Sequence, residues 1–148
     1  MSRNEHAVDI DRPPAAIFPY LVASEQRLRW MGALAESEQV TDGVPGHGTR
    51  FRDVFEERGQ RIEIDAEIVE WEPPERLGLL LRSRAFQSIG LQTLQALDGR
   101  TRLTTTIDTE YKSRVARLMA GMITSQAQAR LEKDMADLKE LVERETAA

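Results

Sequence analysis

The stretch from Ser113 to Glu143, SRVARLMAGMITSQAQARLEKDMADLKELVE, decides the fold of this 148-residue chain. It contains no proline and one glycine, and residues that favour helices fill most of its positions. Ser113 is a residue type that caps the first turn of a helix. We therefore predict one amphipathic helix about 45 Å long, since each residue adds about 1.5 Å, which is enough to cross a small domain.

The apolar residues of this predicted helix do not form one straight stripe. Two groups lie on different faces, Val115, Leu118, Met119, Met122 and Ile123 in the first half and Leu131, Met135, Leu138 and Val142 in the second. A series spaced by fours drifts by about 40° at each step, so the stripe winds around the helix. A concave sheet that wraps the helix, or a bend near Gly121, would explain the winding. The alternative is a self-association seam on the second half.

Composition excludes several classes of function. The charged content of 30% and hydrophobic content of 41% are ordinary for a globular protein. A formal net charge of −5 argues against broad binding to nucleic acid or anionic membranes, because both favour a basic face. The absence of cysteine excludes disulfides and Cys-ligated metals.

The length and the apolar runs bear on domain count and location. A chain of 148 residues predicts one domain, residues 1–148. No apolar run approaches the about 18 residues of a membrane span, and the first residues lack the apolar segment of a signal peptide. We therefore expect a cytoplasmic protein.

The first third of the chain predicts a strand, two short helices and a weak strand. Pro14 suits the first turn of a helix, and Pro19 keeps that helix short or kinked. Ser24 begins the second helix. The predicted elements are a strand over 6–10, helices over 14–22 and 25–31, and a strand over 36–41.

The hairpin around Arg58-Gly59 has a register that the residue pattern specifies. A two-residue loop sets Glu57 opposite Gln60. One face then pairs Arg50 with Glu67, Arg52 with Asp65 and Glu56 with Arg61, and the other pairs Thr49 with Ile68, Phe51 with Ala66 and Phe55 with Ile62. Slipping by one residue would mix the two faces. Asp53, opposite Ile64, is the single charge on the apolar face.

A second hairpin turns at Asp98-Gly99, a strong turn signal. One face would pair Gly90 with Ile107, Gln92 with Thr105 and Leu94 with Leu103, and the other would hold Leu91, Thr93, Thr104 and Thr106. Which face is internal stays open. A further strand is predicted over residues 77–82, and residues 84–88 are either a connection or a strand whose register the pattern does not specify. This order of elements predicts an α+β domain with its helices on one face of a curved antiparallel sheet.

Several short motifs together resemble a known superfamily. They are the run RPPAAIF from Arg12, LRW from Leu28, GTRF from Gly48, VEWEPPERL from Val69, DGRTRLT from Asp98 and the closing helix. This pattern resembles the START-like or Bet v 1-like (SRPBCC) superfamily, and within it the small bacterial polyketide cyclase/dehydrase proteins. The resemblance spans nearly the whole chain, although its motifs mark turns and core positions rather than chemistry.

The resemblance implies a helix-grip fold, in which about seven antiparallel strands curl around the long C-terminal helix. Two short helices follow the first strand, and a hydrophobic cavity lies between sheet and helix. Together with the apolar hairpin faces, it suggests that a lipid, polyketide or aromatic ligand would contact Phe51, Phe55, Ile64, Ala66, Leu94, Leu103, Ile107, Met119, Met122 and Ile123.

The polar and aromatic candidates each have two interpretations. Asp53 would serve as a general base or polar anchor in an apolar cavity, or as a carboxylate at the cavity mouth that is solvated or paired with an arginine. Gln92, Thr105 and Gln126 would hydrogen-bond a ligand, or be satisfied within the protein. Trp30 would cap the entrance or pack in the core, and Met119, Met122 and Ile123 would line a pocket or belong to the helical core.

No cofactor or metal is expected. His6 and His47 lack a recognisable ligand spacing, and no glycine-rich loop joins a strand to a helix as in phosphate sites. Three hypotheses remain. The first is binding or transport of a small hydrophobic molecule, the second a cyclase, dehydratase or hydrolase using Asp53 as acid or base, and the third a protein-interaction module of the chaperone-cofactor or toxin type. We expect a monomer or a weak homodimer without nucleic-acid partners.

Overall fold

The computed structural model, which describes residues 1–147, confirms the predicted helix-grip fold. One antiparallel sheet has the order β1-β7-β6-β5-β4-β3-β2. The strands are β1 (Ser2–Ile10), β2 (Leu34–Gln39), β3 (Arg50–Glu57), β4 (Gln60–Glu72), β5 (Arg76–Arg82), β6 (Phe86–Leu97) and β7 (Arg100–Tyr111). The helices are α1 (Pro14–Val22), α2 (Ser24–Trp30), α3 (Arg114–Leu118) and α4 (Ala120–Glu145). β1 is longer than predicted, and β2 begins and ends two residues earlier.

The register of the β3–β4 hairpin is the predicted one, with Phe51 opposite Ala66 and Asp53 opposite Ile64. The charged side chains on the outer face reach diagonally rather than straight across. Arg50 pairs with Asp65 and Arg52 with Glu63, although their direct cross-strand neighbours are Glu67 and Asp65. Diagonal neighbours lie within reach of long side chains, so the register and the ion pairs need not coincide.

The β6–β7 hairpin also has the predicted register, and the structure identifies its inner face. Leu94 and Leu103 are buried opposite each other, in line with Gln92 and Thr105. Ile89, on the other face, is 54% exposed. The face that carries Gly90, Gln92, Leu94, Thr105 and Ile107 is therefore the concave face.

The predicted single helix is two helices. α3 ends at Leu118, and Met119 leaves helical geometry with ψ of 5° before α4 begins. The expected bend thus lies two residues before Gly121. The predicted cap is confirmed, since Ser113 Oγ accepts the Ala116 N–H at 3.0 Å. None of the helices in residues 1–147 combines the length and hydropathy needed to span a membrane.

The main core lies at the end of the sheet that α1 and α2 cover. The second half of α4 packs into it through Met135, Leu138, Leu141 and Val142, all fully or nearly fully buried. These side chains are therefore not free to form the self-association seam considered above. Burial of this apolar face within one chain is the main stabilising contribution of the helix.

The C-terminal end of α4 forms side-chain hydrogen bonds and an ion pair with α1 and α2. Arg29 Nη1 donates to Glu145 Oε1 at 2.8 Å, and the Tyr20 hydroxyl donates to the same oxygen at 2.9 Å. The hydrogen bonds from Arg29 and Tyr20 lower the pKa of Glu145 to about 2. This contact joins the C-terminal end of α4 to both short helices.

Candidate functional site

The structure divides the predicted ligand-contacting residues into a packed group and an open group. Trp30, Phe51, Ala66, Leu94 and Leu103 belong to the continuous core together with Met135 and Leu138. The Trp30 indole N–H donates to the Tyr20 carbonyl at 2.8 Å, between α1 and α2. At this end, side chains fill the space between sheet and helix, and the void beside Phe51 measures only about 10 Å³.

Asp53 lies inside the packed end and is only 1% exposed. Its carboxylate forms an ion pair with the buried Arg27 of α2, and Ser37 donates its hydroxyl to Asp53 Oδ1 at 2.7 Å. The Arg27 guanidinium carbon also lies 5.4 Å from the centre of the Phe51 ring. Both carboxylate oxygens of Asp53 are therefore engaged within the protein.

The open group lies on the same concave face as Gly90. A Cβ atom built at Gly90 would meet no heavy atom within 4 Å. Phe55, Gln92, Ile107 and Ile123 are only partly buried, in contrast to the core residues at the other end. The concave face therefore contains unfilled, solvent-accessible space over β6 and β7.

Thr105 presents the most unusual polar group of this face. The residue is 5% exposed, and within residues 1–147 its hydroxyl has no hydrogen-bond partner. Thr101, on the same strand and face, donates to the Arg12 carbonyl at 2.7 Å. A buried polar group without a partner costs about 1–3 kcal/mol, so Thr105 is an unsatisfied position on an otherwise satisfied strand.

Thr105 is the centre of a short polar row across three strands. Its direct neighbours are His6 on β1 and Gln92 on β6. Cβ atoms of such neighbours lie about 4.5–5.5 Å apart, which brings the three side chains within reach of one ligand group. Ile107 and Gly90 form the next row, so the polar row borders the unfilled space.

His6 is the member of this row that sequence reasoning missed. We considered it only as a metal ligand, and no third metal-binding side chain gathers around it among the described residues. Its alternation with Val8 and Ile10 indicated that it faces inward. Its position beside Thr105 depends on the pairing of β1 with β7, the last strand, which the residue pattern did not reveal.

Polar contacts hold the first half of α4 over the concave face. On one side, Asn4 of β1 donates to the Thr124 carbonyl at 2.9 Å. On the other, Arg130 Nη2 donates to Glu57 Oε1, at the tip of the β3–β4 hairpin, at 2.8 Å. Burial raises the pKa of Asp134, which accepts the Gly32 N–H at 3.0 Å. The helix thus bridges both sides of the curved sheet.

An open groove of about 870 Å³ lies where β4 extends past the end of β5. It is lined by Val40, Phe51, Arg52, Arg61, Ile62, Glu63, Ile64, Asp65, Arg82, Ser83, Arg84 and Ala85. Phe51, Ile62 and Ile64 belong to the inner face of the hairpin, whereas Arg52 and Arg61 belong to its outer face. The groove therefore gives access to the inner face of the hairpin at the end of β5.

Three further predicted residues lie on the solvent side of the helices. Met119 and Met122 are 42% and 51% exposed, and Gln126 is exposed. The structure does not bring them together with the polar row around Thr105. Gln92, Thr105 and Ile107 lie next to Gly90 in the β6–β7 register, whereas Phe55 and Ile64 lie on β3 and β4 beyond the end of β5, and Ile123 is partly buried on α4.

Several solved structures share the fold of this chain. The protein TTHA0849 from Thermus thermophilus is 18% identical with a TM-score of 0.84, covering 99% of this chain and 100% of that one. The Zhui aromatase/cyclase from Streptomyces sp. R1128 is 15% identical with a TM-score of 0.82, covering 99% and 96%. Ara h 8.0201 is 16% identical with a TM-score of 0.69, covering 95% and 97%. At these identities, the likeness concerns the fold.

Sequence comparison adds the family. No curated protein matches the chain in sequence. The profile of the family described as polyketide cyclase / dehydrase and lipid transport matches residues 1–143, nearly the whole chain. This chain, with its Bet v 1-like helix-grip fold, therefore belongs to the polyketide cyclase / dehydrase and lipid transport family.

Proposed function

We propose that this protein binds, and releases unchanged, a small and mostly apolar molecule between β6, β7 and the first half of α4. The observation that carries the proposal is the buried Thr105 hydroxyl, which has no partner within residues 1–147. A ligand that enters the space over Gly90 and displaces the side chains covering Thr105 would supply that partner. The family's description, which includes lipid transport, supports the same class of function.

The chemistry of the polar row suggests the kind of ligand. Thr105 and Gln92 each donate and accept hydrogen bonds without a formal charge, and His6 does so in its neutral form. Ile107 in the next row and the partly buried Ile123 of α4 would provide apolar contact beside them. We infer a lipid, polyketide or aromatic molecule that carries a neutral hydroxyl or carbonyl group.

Binding is favoured over an acid–base reaction at Asp53. A general base must reach the proton that it removes, within about 3 Å or through one water. The Asp53 carboxylate is held by Arg27 and Ser37 and is shielded from solvent. That arrangement is typical of a structural ion pair.

Replacing Gly90 by phenylalanine tests the location of the site. Gly90 has no positive φ and space in front of it, so the larger side chain should occupy the ligand's volume without unfolding the protein. We expect at least a tenfold loss of affinity for the dye anilinonaphthalene sulfonate, measured by fluorescence titration. Native mass spectrometry of gently purified protein should likewise show a retained small molecule in wild type and none in the variant.

The matched control is Gln95→Phe, which adds the same ring to an exposed position on the other face of β6. It should leave dye binding unchanged. Equal dye binding by wild type and Gly90→Phe would place any ligand elsewhere. No bound dye and no retained molecule in wild type would contradict the proposed function.

A pair of threonine substitutions tests the role of the polar row. Thr105→Val removes a hydroxyl that lacks a partner, so we expect the free energy of unfolding to rise by about 1 kcal/mol. Thr101→Val removes a hydroxyl bonded to Arg12, so we expect a loss of about 1–2 kcal/mol. Urea denaturation measures both.

Measuring ligand binding by Thr105→Val then distinguishes a role of the hydroxyl in binding from a role in the packing of the free protein. Thr105→Val should weaken the retained molecule's binding while it stabilises the free protein. A loss of stability similar to that of Thr101→Val would mean that the Thr105 hydroxyl is satisfied in the folded protein, and the argument from an unsatisfied group would fail.

A further inference from the structure

Four apolar residues of α3 and the start of α4 form an exposed stripe. Val115, Leu118, Met119 and Met122 have the spacing i, i+3, i+4, i+7 of a buried helix face. They are instead 67%, 87%, 42% and 51% exposed. We call these four residues the α3 stripe. Four large apolar side chains exposed this close together, on both sides of the break at Met119, mark a surface that a binding partner or a membrane covers.

The charges beside the α3 stripe are all of one sign. Lys112, Arg114 and Arg117 lie within and next to α3, and no Asp or Glu occurs between Glu110 and Glu132. Arg84 joins them, because the backbone N–H of Lys112 donates to the Ala85 carbonyl at 2.8 Å. We call these four cations the cationic rim.

The cationic rim is also free of carboxylate partners. In the part of the chain that the structure describes, no carboxylate lies within 4.0 Å of Arg84, Lys112, Arg114 or Arg117. Within residues 1–147, Arg117 Nε donates to the Tyr111 carbonyl and Lys112 Nζ to the Ser83 carbonyl, and neither neutral oxygen compensates the formal charge. Most arginines elsewhere are paired with a carboxylate, as Arg102 is with Asp9, although Arg58 at the β3–β4 turn has no such partner among the described residues.

We propose that the α3 stripe and the cationic rim together dock on an anionic lipid membrane surface. Leucine, valine and methionine side chains would enter the boundary between headgroups and acyl chains, and the cations would contact lipid phosphates. The net charge of −5 does not oppose this locally, because charges more than about 8 Å from the surface are screened at physiological ionic strength.

Charge disfavours a second copy of the chain as the occupant. In a two-fold dimer the same patch meets itself, which would bring two cationic rims together. An anionic bilayer instead offers both an apolar layer and the opposite charge. The inference goes beyond the proposed function and does not depend on it, since docking requires no ligand between sheet and helix.

Flotation with lipid vesicles tests the inference. At physiological ionic strength we expect wild type to bind vesicles of phosphatidylcholine and phosphatidylserine, and not vesicles of phosphatidylcholine alone. Arg114→Gln combined with Arg117→Gln should lower the affinity about 25-fold, since each cation near an anionic surface contributes about fivefold. Leu118→Ser combined with Met122→Ser should lower it more than tenfold.

Matched controls occupy other surfaces. Ile89→Ser removes a comparably exposed apolar side chain from the outer face of β6. Arg58→Gln combined with Arg144→Gln removes two exposed cations away from α3. Both controls should bind the anionic vesicles like wild type. Gly90→Phe should do so as well, which separates docking from ligand binding.

Three results would overturn the inference. The first is no binding of wild type to the anionic vesicles, which would leave a protein partner as the occupant. The second is binding that neither double variant weakens. The third is a concentration-dependent dimer in light scattering that Leu118→Ser with Met122→Ser abolishes, which would assign the α3 stripe to self-association.

Discussion

Replacing Asp53 by leucine is expected to lower the free energy of unfolding by about 3–5 kcal/mol. The substitution removes the partner of Arg27, a guanidinium that α2 buries against Phe51. Arginine cannot lose its proton in a protein, so its charge would remain buried without compensation. Urea denaturation followed by circular dichroism measures the loss.

The double variant Arg27→Met with Asp53→Leu is the control. Removing both charges abolishes the cost of the unpaired guanidinium, and a buried ion pair is often no more stable than an apolar pair of similar volume. We expect the double variant to recover most of the lost stability. If Asp53→Leu alone costs less than about 1 kcal/mol, the pair is not buried as the structure shows it.

Leu138→Ala is expected to cost about 2–5 kcal/mol, because Leu138 is fully buried and its loss leaves a cavity in the main core. The matched substitution Leu118→Ala should change the free energy of unfolding by no more than about 0.5 kcal/mol, since Leu118 is 87% exposed. Thermal and urea unfolding of the two variants, measured side by side, give the comparison.

Leu138 and Leu118 both belong to the apolar pattern of the C-terminal segment, but only Leu138 is buried. A difference between the two losses of unfolding free energy therefore reports burial. Helix propensity contributes the same change at both positions, because both replacements are alanine. Comparable losses in the two variants would show that α3 packs against the sheet in solution, and would remove the exposed surface on which membrane docking depends.

The hairpins show how far local pattern determines this fold. Turn residues set the loop positions, and a side-chain period of two admits one register in which charges and apolar groups separate. Both registers are the predicted ones. Likewise, the cap at Ser113 needs only a hydroxyl at the first turn of a helix.

The candidate site was predictable only in part. Gln92 and Thr105 were candidates because their register placed them on one face. Whether each hydroxyl finds a partner depends on distant backbone, as the contact of Thr101 with Arg12 shows. The position of His6 beside Thr105 required the pairing of β1 with β7, which lie almost a hundred residues apart in the chain.

Asp53 illustrates the same limit in the core. Its position on the apolar face followed from the hairpin alone, and the possibility of an arginine partner was open. The chain contains many arginines, and no local pattern identifies the one that α2 brings to Asp53. The packing of α2 against β2 and β3 decides between a free carboxylate and a structural ion pair.

By itself, the sequence determined most of the strands, the registers of the two hairpins, the family resemblance and the apolar periodicity of residues 113–143. Only the tertiary structure decided which part of that periodicity is covered. Met135 and Leu138 are buried by the sheet and the short helices, whereas Val115 and Leu118 face solvent. The physical reason is that helical spacing places side chains on a common face, but burial requires a second surface, and the sheet covers only the later part of the helix.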